Sequence, residues 1–284
     1  MPENKPELTL GRRAFFLFKS LVLVYFLSLV ILILMVDHVI FFPSLTKKIE
    51  AKPSDIGYKY EASDVATADG VKLRCWYITC SETAEISMFV AHGNAENIST
   101  AMYQAAYTGS RIGANVFLYD YRGYGESEGS PSVSNFYQDA EAAYGHFLKI
   151  DKVKKHKIII YGRSLGGAAA VHLASKFDCF RLITESTFSS VRNHVRFNKV
   201  LFIYYPFTPN FLPSIQKAAE VKVPWLIIHG SDDSAISVKN ADVFFDANIA
   251  AKRQKYIVPG ADHNDVLMKA GPDNYCARIA EFIK

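Results

Sequence analysis

One serine lies between a strongly apolar run and a helix-like segment, with glycines on both sides. The stretch from Ile158 to Lys176 reads IIIYGRSLGGAAAVHLASK, which places Ser164 at the centre of the pattern G-x-S-x-G. Glycines at Gly162 and Gly166 allow a sharp strand-to-helix turn that exposes the serine hydroxyl at a helix N-terminus, where a developing anion is stabilised. This context predicts a nucleophile. The alternative is a tight packing turn.

A serine nucleophile needs a base, and one of the eight histidines stands apart from the others. His263 lies in KYIVPGADHND, a polar loop after the last predicted strand and before the last predicted helix. His92 and His229 each end a predicted strand in a His-Gly pair, where a turn or packing role is favoured. The sequence therefore predicts His263 as the general base.

The base in turn needs a carboxylate that holds its tautomer and stabilises the imidazolium. LIIHGSDDSAIS offers Asp232 and Asp233 directly after a predicted strand. The order Ser164, Asp233, His263 places the three roles after three different strands, which is far more specific than any one of them alone. The alternative acid is Glu185 in LITESTF, although a salt bridge or a cap is the favoured role there.

Acyl chemistry also requires an oxyanion hole, since removing one donor costs about 10²–10³ in rate. One donor is predicted to be the backbone N–H of Leu165, directly after the nucleophile. The other should come from the loop HGNAEN, with the N–H of Asn94 preferred and that of Ala95 as the alternative. The glycosylation sequon at Asn97 falls beside this loop and is expected to be unmodified.

Short apolar runs alternate with helix-length segments over most of the chain. The predicted strands are ISMFVAH, ANVFLYD, KIIIY, RLITES, PWLIIHG and KYIVPG. Two further runs, YKYEASDV and GVKLRCWYI, predict an antiparallel pair joined at Asp69-Gly70. This alternation predicts one α/β domain with a mostly parallel, doubly covered sheet, whose functional residues lie in loops at the carboxyl ends of the strands.

Composition limits the class of protein. With 284 residues, of which 50% are hydrophobic, the chain can bury a large core. A net charge of +4 from dispersed basic residues does not indicate nucleic-acid binding. The four cysteines match no metal-ligand spacing and predict no disulfide framework. No metal or organic cofactor is expected.

The N-terminal region is the compositional outlier, because no charge occurs from Ser20 to Val36. Together with residues 14–19 the run reaches about 23 residues, enough to span roughly 30 Å of hydrocarbon. The sequence therefore predicts a tail over 1–13, a membrane anchor over 14–36, a juxtamembrane linker over 37–57 and the α/β domain over 58–284. A cleaved signal peptide and a buried core helix are the alternatives, but no small-x-small cleavage site follows the run.

Basic residues on the two sides of the apolar run bear on its orientation. Those before it lie closer to it than those after it: Lys5, Arg12 and Arg13 on one side, Lys47, Lys48 and Lys52 on the other. The positive-inside rule therefore favours a cytoplasmic N-terminus, with the α/β domain on the non-cytoplasmic side.

Five sequence blocks together carry a resemblance. They are HGNAEN at 92–97, DYRGYGES at 120–127, GRSLG at 162–166, HGSDD at 229–233 and GADHND at 260–265. In this set the chain resembles serine-type α/β-hydrolases, most of all a membrane-anchored branch with an HGNAxN oxyanion loop. The resemblance covers 58–284 and implies Asp233 rather than Asp232 as the acid. Glu96 departs from it, since glycine is usual there, and adds a charge near the oxyanion loop.

Residues 187–213 occupy the position of a short cap in such hydrolases. The segment is strongly aromatic, with basic residues interleaved: Phe188, Phe197, Phe202, Tyr204, Tyr205, Phe207 and Phe211, with Arg192, Arg196 and Lys199. The aromatics either pack the cap onto the core or line an acyl slot that faces the membrane, with a basic rim. The resulting expectation is a membrane-anchored serine hydrolase that cleaves carboxylic ester or thioester bonds of lipid-like acyl substrates. A peptidase and a non-catalytic scaffold are the alternatives, and oligomeric state is not addressed by the sequence.

Overall fold

The computed structural model describes residues 9–45, 47–248 and 252–284. The predicted tail is therefore described only from Thr9 onward, and Lys5 lies outside the described residues. The division of the chain into tail, anchor, linker and hydrolase domain stays a prediction, although the elements that fill these segments are defined.

A single sheet organises the described part of the chain. Its strands are β1 (Lys59–Ala66), β2 (Lys72–Thr79), β3 (Ile86–Ala91), β4 (Ala114–Tyr119), β5 (Ile158–Arg163), β6 (Arg181–Glu185), β7 (Trp225–Gly230) and β8 (Arg253–Val258). The spatial order is β1-β2-β4-β3-β5-β6-β7-β8. Strand β2 runs antiparallel to β1 and β4, and the remaining pairs are parallel. The predicted hairpin and the mostly parallel sheet are both confirmed.

The helices of the described residues are α1 (Leu10–Leu34), α2 (Val36–Ile40), α3 (Ile98–Ile112), α4 (Phe136–Phe147), α5 (Leu165–Lys176), α6 (Val191–Phe197), α7 (Ser214–Ala218), α8 (Lys239–Ala247), α9 (Val266–Ala270) and α10 (Pro272–Ile283). Helices cover both faces of the sheet, with α4 and α5 on one face and α3 and α10 on the other. Alternate strand residues point to opposite faces: Phe89 packs into one core with α4 and α5, whereas Met88 packs into the other with α3 and α10.

The first helix is long and apolar enough to cross a membrane. It has 25 residues, and its most apolar window has a mean hydropathy of 2.6 with 6% of that window buried. At 1.5 Å per residue it is about 37 Å long, somewhat more than the ~30 Å of a hydrocarbon core. Such a small buried share does not fit the alternative of a core helix, whose surface would be packed on all sides.

The segment predicted as a linker, residues 37–57, packs closely on the α/β domain. Phe41 is 2% exposed, and its ring lies 5.6 Å from that of Phe136 at the start of α4. The Asp37 Oδ1 atom accepts a hydrogen bond of 2.7 Å from the Val133 backbone N–H. The prolines and lysines of this segment predict a linker. The structure shows that the buried Phe41 side chain attaches the beginning of the segment, just after α1, to the α/β domain.

The cap consists of α6 and a 3₁₀ turn over Leu201–Phe207, and it contacts α1. The Tyr25 hydroxyl donates to the Ile203 carbonyl at 2.7 Å, and the Tyr25 ring stacks on that of Tyr204 at 5.4 Å. Other apolar cap side chains are exposed, including Phe202 and Phe207. The aromatic cap therefore packs against the proposed anchor as well as against the core.

Candidate active site

Ser164 sits at the turn between β5 and α5 with φ 52° and ψ −117°, a strained conformation for a residue with a side chain. Three hydrogen bonds hold its backbone. The Ser164 N–H donates to the Glu185 carbonyl at 2.8 Å, and the Ser164 carbonyl accepts from the Gly167 N–H at 3.1 Å and from the Thr187 hydroxyl. Because all three bonds use main-chain atoms of Ser164, its hydroxyl is left for the chemistry of the site.

The two glycines of the motif permit this turn for steric reasons. A Cβ atom on Gly166 would overlap the carbonyl of Ala91 in β3, and one on Gly162 would overlap the carbonyl of Gly166. A side chain at either position would therefore collide with the neighbouring backbone. The absence of a Cβ atom at Gly162 and Gly166 allows β3, β5 and α5 to approach each other closely at the turn that carries Ser164.

Three predicted site residues come together at the carboxyl edge of the sheet. The Nε2 atom of His263 lies 3.1 Å from Ser164 Oγ, and its Nδ1 atom lies 2.9 Å from Asp233 Oδ2. The residues follow β5, β7 and β8, three strands of the parallel part of the sheet, with β6 lying between β5 and β7. Asp232 is exposed and pairs with the Ser231 hydroxyl instead.

Asp233 is held as a carboxylate by a dense set of donors. Its Oδ1 atom accepts from the backbone N–H groups of Ala235, at 3.0 Å, and Ile236, at 2.7 Å. Its Oδ2 atom lies 3.2 Å from His229 Nε2 in addition to His263. Burial by itself raises the pKa of Asp233, but the hydrogen bonds from both histidines and from Ile236 outweigh it and hold the pKa below its ordinary value.

His229 is thus a contributor that sequence reasoning missed, because a histidine at a strand end was interpreted as a packing residue. Its Nε2 atom also lies 2.8 Å from the Ile236 carbonyl, which can only accept, so this nitrogen carries the proton. The signal was present in the sequence: His229 precedes Asp233 by four residues in HGSDD.

The oxyanion loop offers one free backbone donor at the predicted place. The Ala95 N–H is occupied by the Asn94 side-chain oxygen at 3.0 Å, whereas the N–H groups of Asn94 and Leu165 have no acceptor within the described ranges. This difference favours Asn94 over the alternative, Ala95. The Leu165 N–H lies at the N-terminus of α5, where the helix dipole favours negative charge.

Two tyrosines of the DYRGYG block donate hydrogen bonds to the oxyanion loop. The Tyr121 hydroxyl donates to the His92 carbonyl at 2.6 Å, and the Tyr124 hydroxyl donates to Asn94 Oδ1 at 2.6 Å. Asp120 accepts from the Ile98 N–H at the start of α3. The block thereby fixes both ends of the oxyanion loop.

The Asn94 side chain also binds the segment that follows α1. Its Nδ2 donates to the Ile40 carbonyl at 2.7 Å, and its Oδ1 accepts from the Phe42 N–H at 3.2 Å. Tyr124 accepts from the same N–H at 2.9 Å. We call these contacts the Asn94 clamp. They join the exit of the proposed anchor to the loop that carries the predicted oxyanion donor.

Asn97, in the sequon, has its side chain turned inward. It caps α3 by accepting from the N–H groups of Ser99 and Thr100, and its Nδ2 donates to the Lys48 carbonyl at 2.8 Å. At 2% exposure, the amide that would carry a glycan is enclosed by protein.

Arg163, the variable residue before the nucleophile, joins three loops of the site. Its guanidinium pairs with Glu96 of the oxyanion loop and lies 3.3 Å from Glu185 at the end of β6. It also donates to Asn264 Oδ1, beside His263, at 2.7 Å. With 13% of its side chain exposed, Arg163 holds together the loops on either side of Ser164.

The ion pairs with Arg163 define the roles of Glu96 and Glu185. Glu96 does not add a free charge near the oxyanion loop, because it pairs with Arg163 and accepts from the Gly93 N–H at 2.8 Å. Glu185 is 2% exposed and accepts from Gln104 and from two tyrosine hydroxyls, those of Tyr161 and Tyr275. The salt-bridge role favoured for Glu185 is therefore confirmed, and no contact with His263 is present.

Replacing Arg163 with methionine is expected to lower the free energy of unfolding by about 3–5 kcal/mol, since it leaves buried carboxylates without their partner. Thermal unfolding of the full chain in detergent measures the loss. The double variant Arg163→Met with Glu185→Gln should recover part of it, because one of the orphaned charges is then removed. Equal stability of wild type and Arg163→Met would contradict this role.

A cavity of about 730 Å³ opens beside the oxyanion loop, on the side of α3 and α9. Its lining combines polar groups with exposed apolar ones, among them Glu96, Arg163, Tyr103 and Met268. No group of three or more His, Cys, Asp or Glu side chains suited to a metal ion occurs in the described ranges.

Sheet order, nucleophile turn and the Ser164–His263–Asp233 geometry are those of an α/β-hydrolase, and sequence comparison agrees: the chain belongs to the α/β-hydrolase domain-containing family. It is 31% identical over 218 residues to human α/β hydrolase domain-containing protein 17B, which covers 76% of this chain and 73% of that protein. It is 33% identical over 218 residues to mouse protein 17C, but this match spans only 65% of the relative's length. The model of the family Hydrolase_4, described as serine aminopeptidase S33, matches residues 82–218.

Solved structures with the same fold include an esterase and a peptidase. The Pyrococcus furiosus esterase Pf2001 superposes with a TM-score of 0.68 at 20% identity, covering 82% of this chain and 95% of the esterase. The Pyrococcus horikoshii acylaminoacyl peptidase gives a TM-score of 0.63 at 18% identity, covering 80% of this chain and 40% of the peptidase. At these identities the likeness confirms the α/β-hydrolase fold.

Proposed function

We propose that this protein is a membrane-anchored serine hydrolase that cleaves carboxylic ester or thioester bonds in lipid-like acyl substrates. The family supports a hydrolase. The observation that carries the finer assignment is the hydrogen-bonded chain from Ser164 through His263 to Asp233, at 3.1 and 2.9 Å. These distances are those of a nucleophile, its base and the group that orients the base.

In the proposed reaction, His263 Nε2 removes the proton from Ser164 Oγ, which attacks the carbonyl carbon of the substrate. The N–H groups of Leu165 and Asn94 stabilise the tetrahedral oxyanion, and His263 then protonates the leaving alcohol or thiol. Water, deprotonated by the same His263, attacks the acyl-enzyme and releases the acid. Asp233 stays ionised throughout and stabilises the imidazolium.

Two features support an acyl substrate from a membrane. Helix α1 has the length and hydropathy of a membrane span, and the cap beside it exposes large apolar side chains, including Val200 at 76% and Phe202 at 56%. An exposed apolar surface next to a membrane helix is suited to contact lipid. In this arrangement the N-terminus is cytoplasmic and the catalytic domain lies on the opposite side, as the basic residues Arg12 and Arg13 in the first turn of α1 favour.

A peptidase is the second candidate, because the matching family model is described as a serine aminopeptidase. The same three residues would cleave an amide, with His263 protonating an amine as the leaving group. Esters, thioesters and amides that share one acyl group therefore distinguish the two functions.

The test uses the full chain in membranes and a fluorophosphonate, which reacts with activated serines. Labelling is expected, with the modified peptide mapping to Ser164, and hydrolysis should favour long-chain esters or thioesters over the matched amides. Faster amide cleavage would support the peptidase. Absence of labelling in folded protein would favour a non-catalytic scaffold that retains the fold.

A further inference from the structure

An apolar groove lies where the proposed anchor meets the cap. It encloses about 110 Å³, and its walls come from both sides. Leu29 and Ile33 project from α1, and Val191 and Val195 project from α6. Almost every atom that faces this space belongs to a hydrocarbon side chain, so it suits an apolar occupant and offers little to a polar one.

Specific contacts fix the width of this groove. Besides the Tyr25–Ile203 hydrogen bond and the stacking of Tyr25 on Tyr204, the Ser28 and Tyr204 hydroxyls lie 3.1 Å apart. The Asn94 clamp holds the far end of the same wall through the Ile40 carbonyl. Because contacts with the cap and the Asn94 clamp hold α1 and the segment after it at both ends of the groove, the wall that α1 forms has a defined position.

The inner end of the groove approaches the reacting groups. Ile40 belongs to the lining, and its carbonyl is bound to the side chain of Asn94, whose backbone N–H is an oxyanion donor in the proposed reaction. The inner end of the groove therefore lies beside the loop that carries Asn94.

The outer end of the groove lies at membrane depth. Tyr25 contacts the cap nine residues before the end of α1 at Leu34, a distance of about 14 Å along a helix. Cap side chains at that level, such as Phe207, are exposed and apolar. If α1 spans the bilayer, the tip of the cap reaches into the hydrocarbon, where the molecules available to the groove are lipid chains.

We propose that this groove binds part of a single acyl chain of a membrane-resident ester or thioester, which enters sideways from the bilayer. A volume of about 110 Å³ holds only a short stretch of methylene groups, so the rest of a long chain stays in the hydrocarbon. Helix α1 is then one wall of the substrate site as well as an anchor. The inference rests on the proposed function and makes it more specific: the acyl chain lies between α1 and the cap, and its carbonyl carbon reaches Ser164.

Filling the groove tests the proposal. Ile33→Trp and Val195→Trp place a large side chain inside it, and Ile31→Trp is the matched control, because Ile31 is 46% exposed on the same helix and outside the lining. The full-length variants are compared in phosphatidylcholine vesicles on butyryl and palmitoyl thioesters. Both groove variants should lose at least about tenfold in kcat/KM on the palmitoyl substrate and stay within about twofold on the butyryl one. The control should match wild type on both.

Equal losses on the two substrates would overturn the proposal, since they would indicate general damage to the site. Unchanged cleavage of the palmitoyl thioester by both groove variants would also overturn it. Fluorophosphonate labelling separates these results from failure of the proposed function: variants that are labelled as fast as wild type have an intact nucleophile. A wild type that is neither labelled nor active would contradict both proposals.

Discussion

Replacing Ser164 with alanine is expected to lower kcat by about 10⁵- to 10⁶-fold, since a missing nucleophile leaves only substrate binding and the oxyanion donors. The fold should not change. The bonds from Ser164 to Glu185 and Thr187 use its main chain, and alanine keeps the Cβ atom at φ 52°. Hydrolysis of a palmitoyl thioester and fluorophosphonate labelling, with thermal unfolding measured in parallel, test this expectation.

Ser186 provides a matched control for that variant. It also has a left-handed backbone, with φ 48°, and it is buried at the end of β6. Its hydroxyl has no hydrogen-bond partner in the described part of the chain. Ser186→Ala should therefore keep both labelling and turnover. Substantial turnover by Ser164→Ala, or equal losses in the two variants, would remove Ser164 from the proposed role.

Changing Asp233 to asparagine is expected to lower kcat by about 10⁴-fold, because an amide can donate to His263 Nδ1 and favour the wrong tautomer. His229 donates to the same carboxylate oxygen, so the neutral amide also leaves the proton on His229 Nε2 with a poorer acceptor. Asp232→Asn is the control, since Asp232 is exposed and pairs with Ser231. Similar activities of the two variants would reassign the acid.

The pH dependence of stability gives Asp233→Asn a second measurement. The pKa of Asp233 is lower in the folded protein than its ordinary value of 3.8. Its carboxylate therefore stabilises the fold at pH values above that ordinary pKa, and this contribution is lost as the pH falls through the lower, folded pKa. Wild type should lose stability more steeply below about pH 4 than Asp233→Asn. If activity decreases as the pH falls through the neutral range, the decrease must therefore come from protonation of a group other than Asp233.

Much of the fold follows from local sequence patterns. Buried parallel strands are apolar throughout, as IIIY in β5 illustrates, and the helix period places Phe136, Ala140, Ala143 and Phe147 on one buried face of α4. The motif around Ser164 and the chain order of the candidate acid and base predicted which loops meet, and the resemblance to α/β-hydrolases was needed to choose Asp233 over Asp232. Their catalytic roles remain predictions that the variants above test.

Features that depend on distant contacts could not be predicted in the same way. Arg163 occupies a variable position of the nucleophile motif, yet its partners lie 67, 22 and 101 residues away at Glu96, Glu185 and Asn264. Phe41 lies among prolines and lysines that suggest a spacer, but its ring is buried against Phe136. A local pattern indicates which residues are apolar or charged, and it leaves open which distant partner each one meets.

The Asn94 clamp has a consequence for kinetics. A catalytic domain joined to its anchor by a flexible linker could reach substrate at a range of distances from the membrane. Here the segment that follows α1 is hydrogen-bonded to the predicted oxyanion loop, which would hold the domain at a fixed distance from the lipid surface. Encounters with substrate then take place in two dimensions. Under the proposed function, the rate should follow the mole fraction of substrate among the lipids and fall when inert lipid is added, even though the amount of substrate per litre is unchanged.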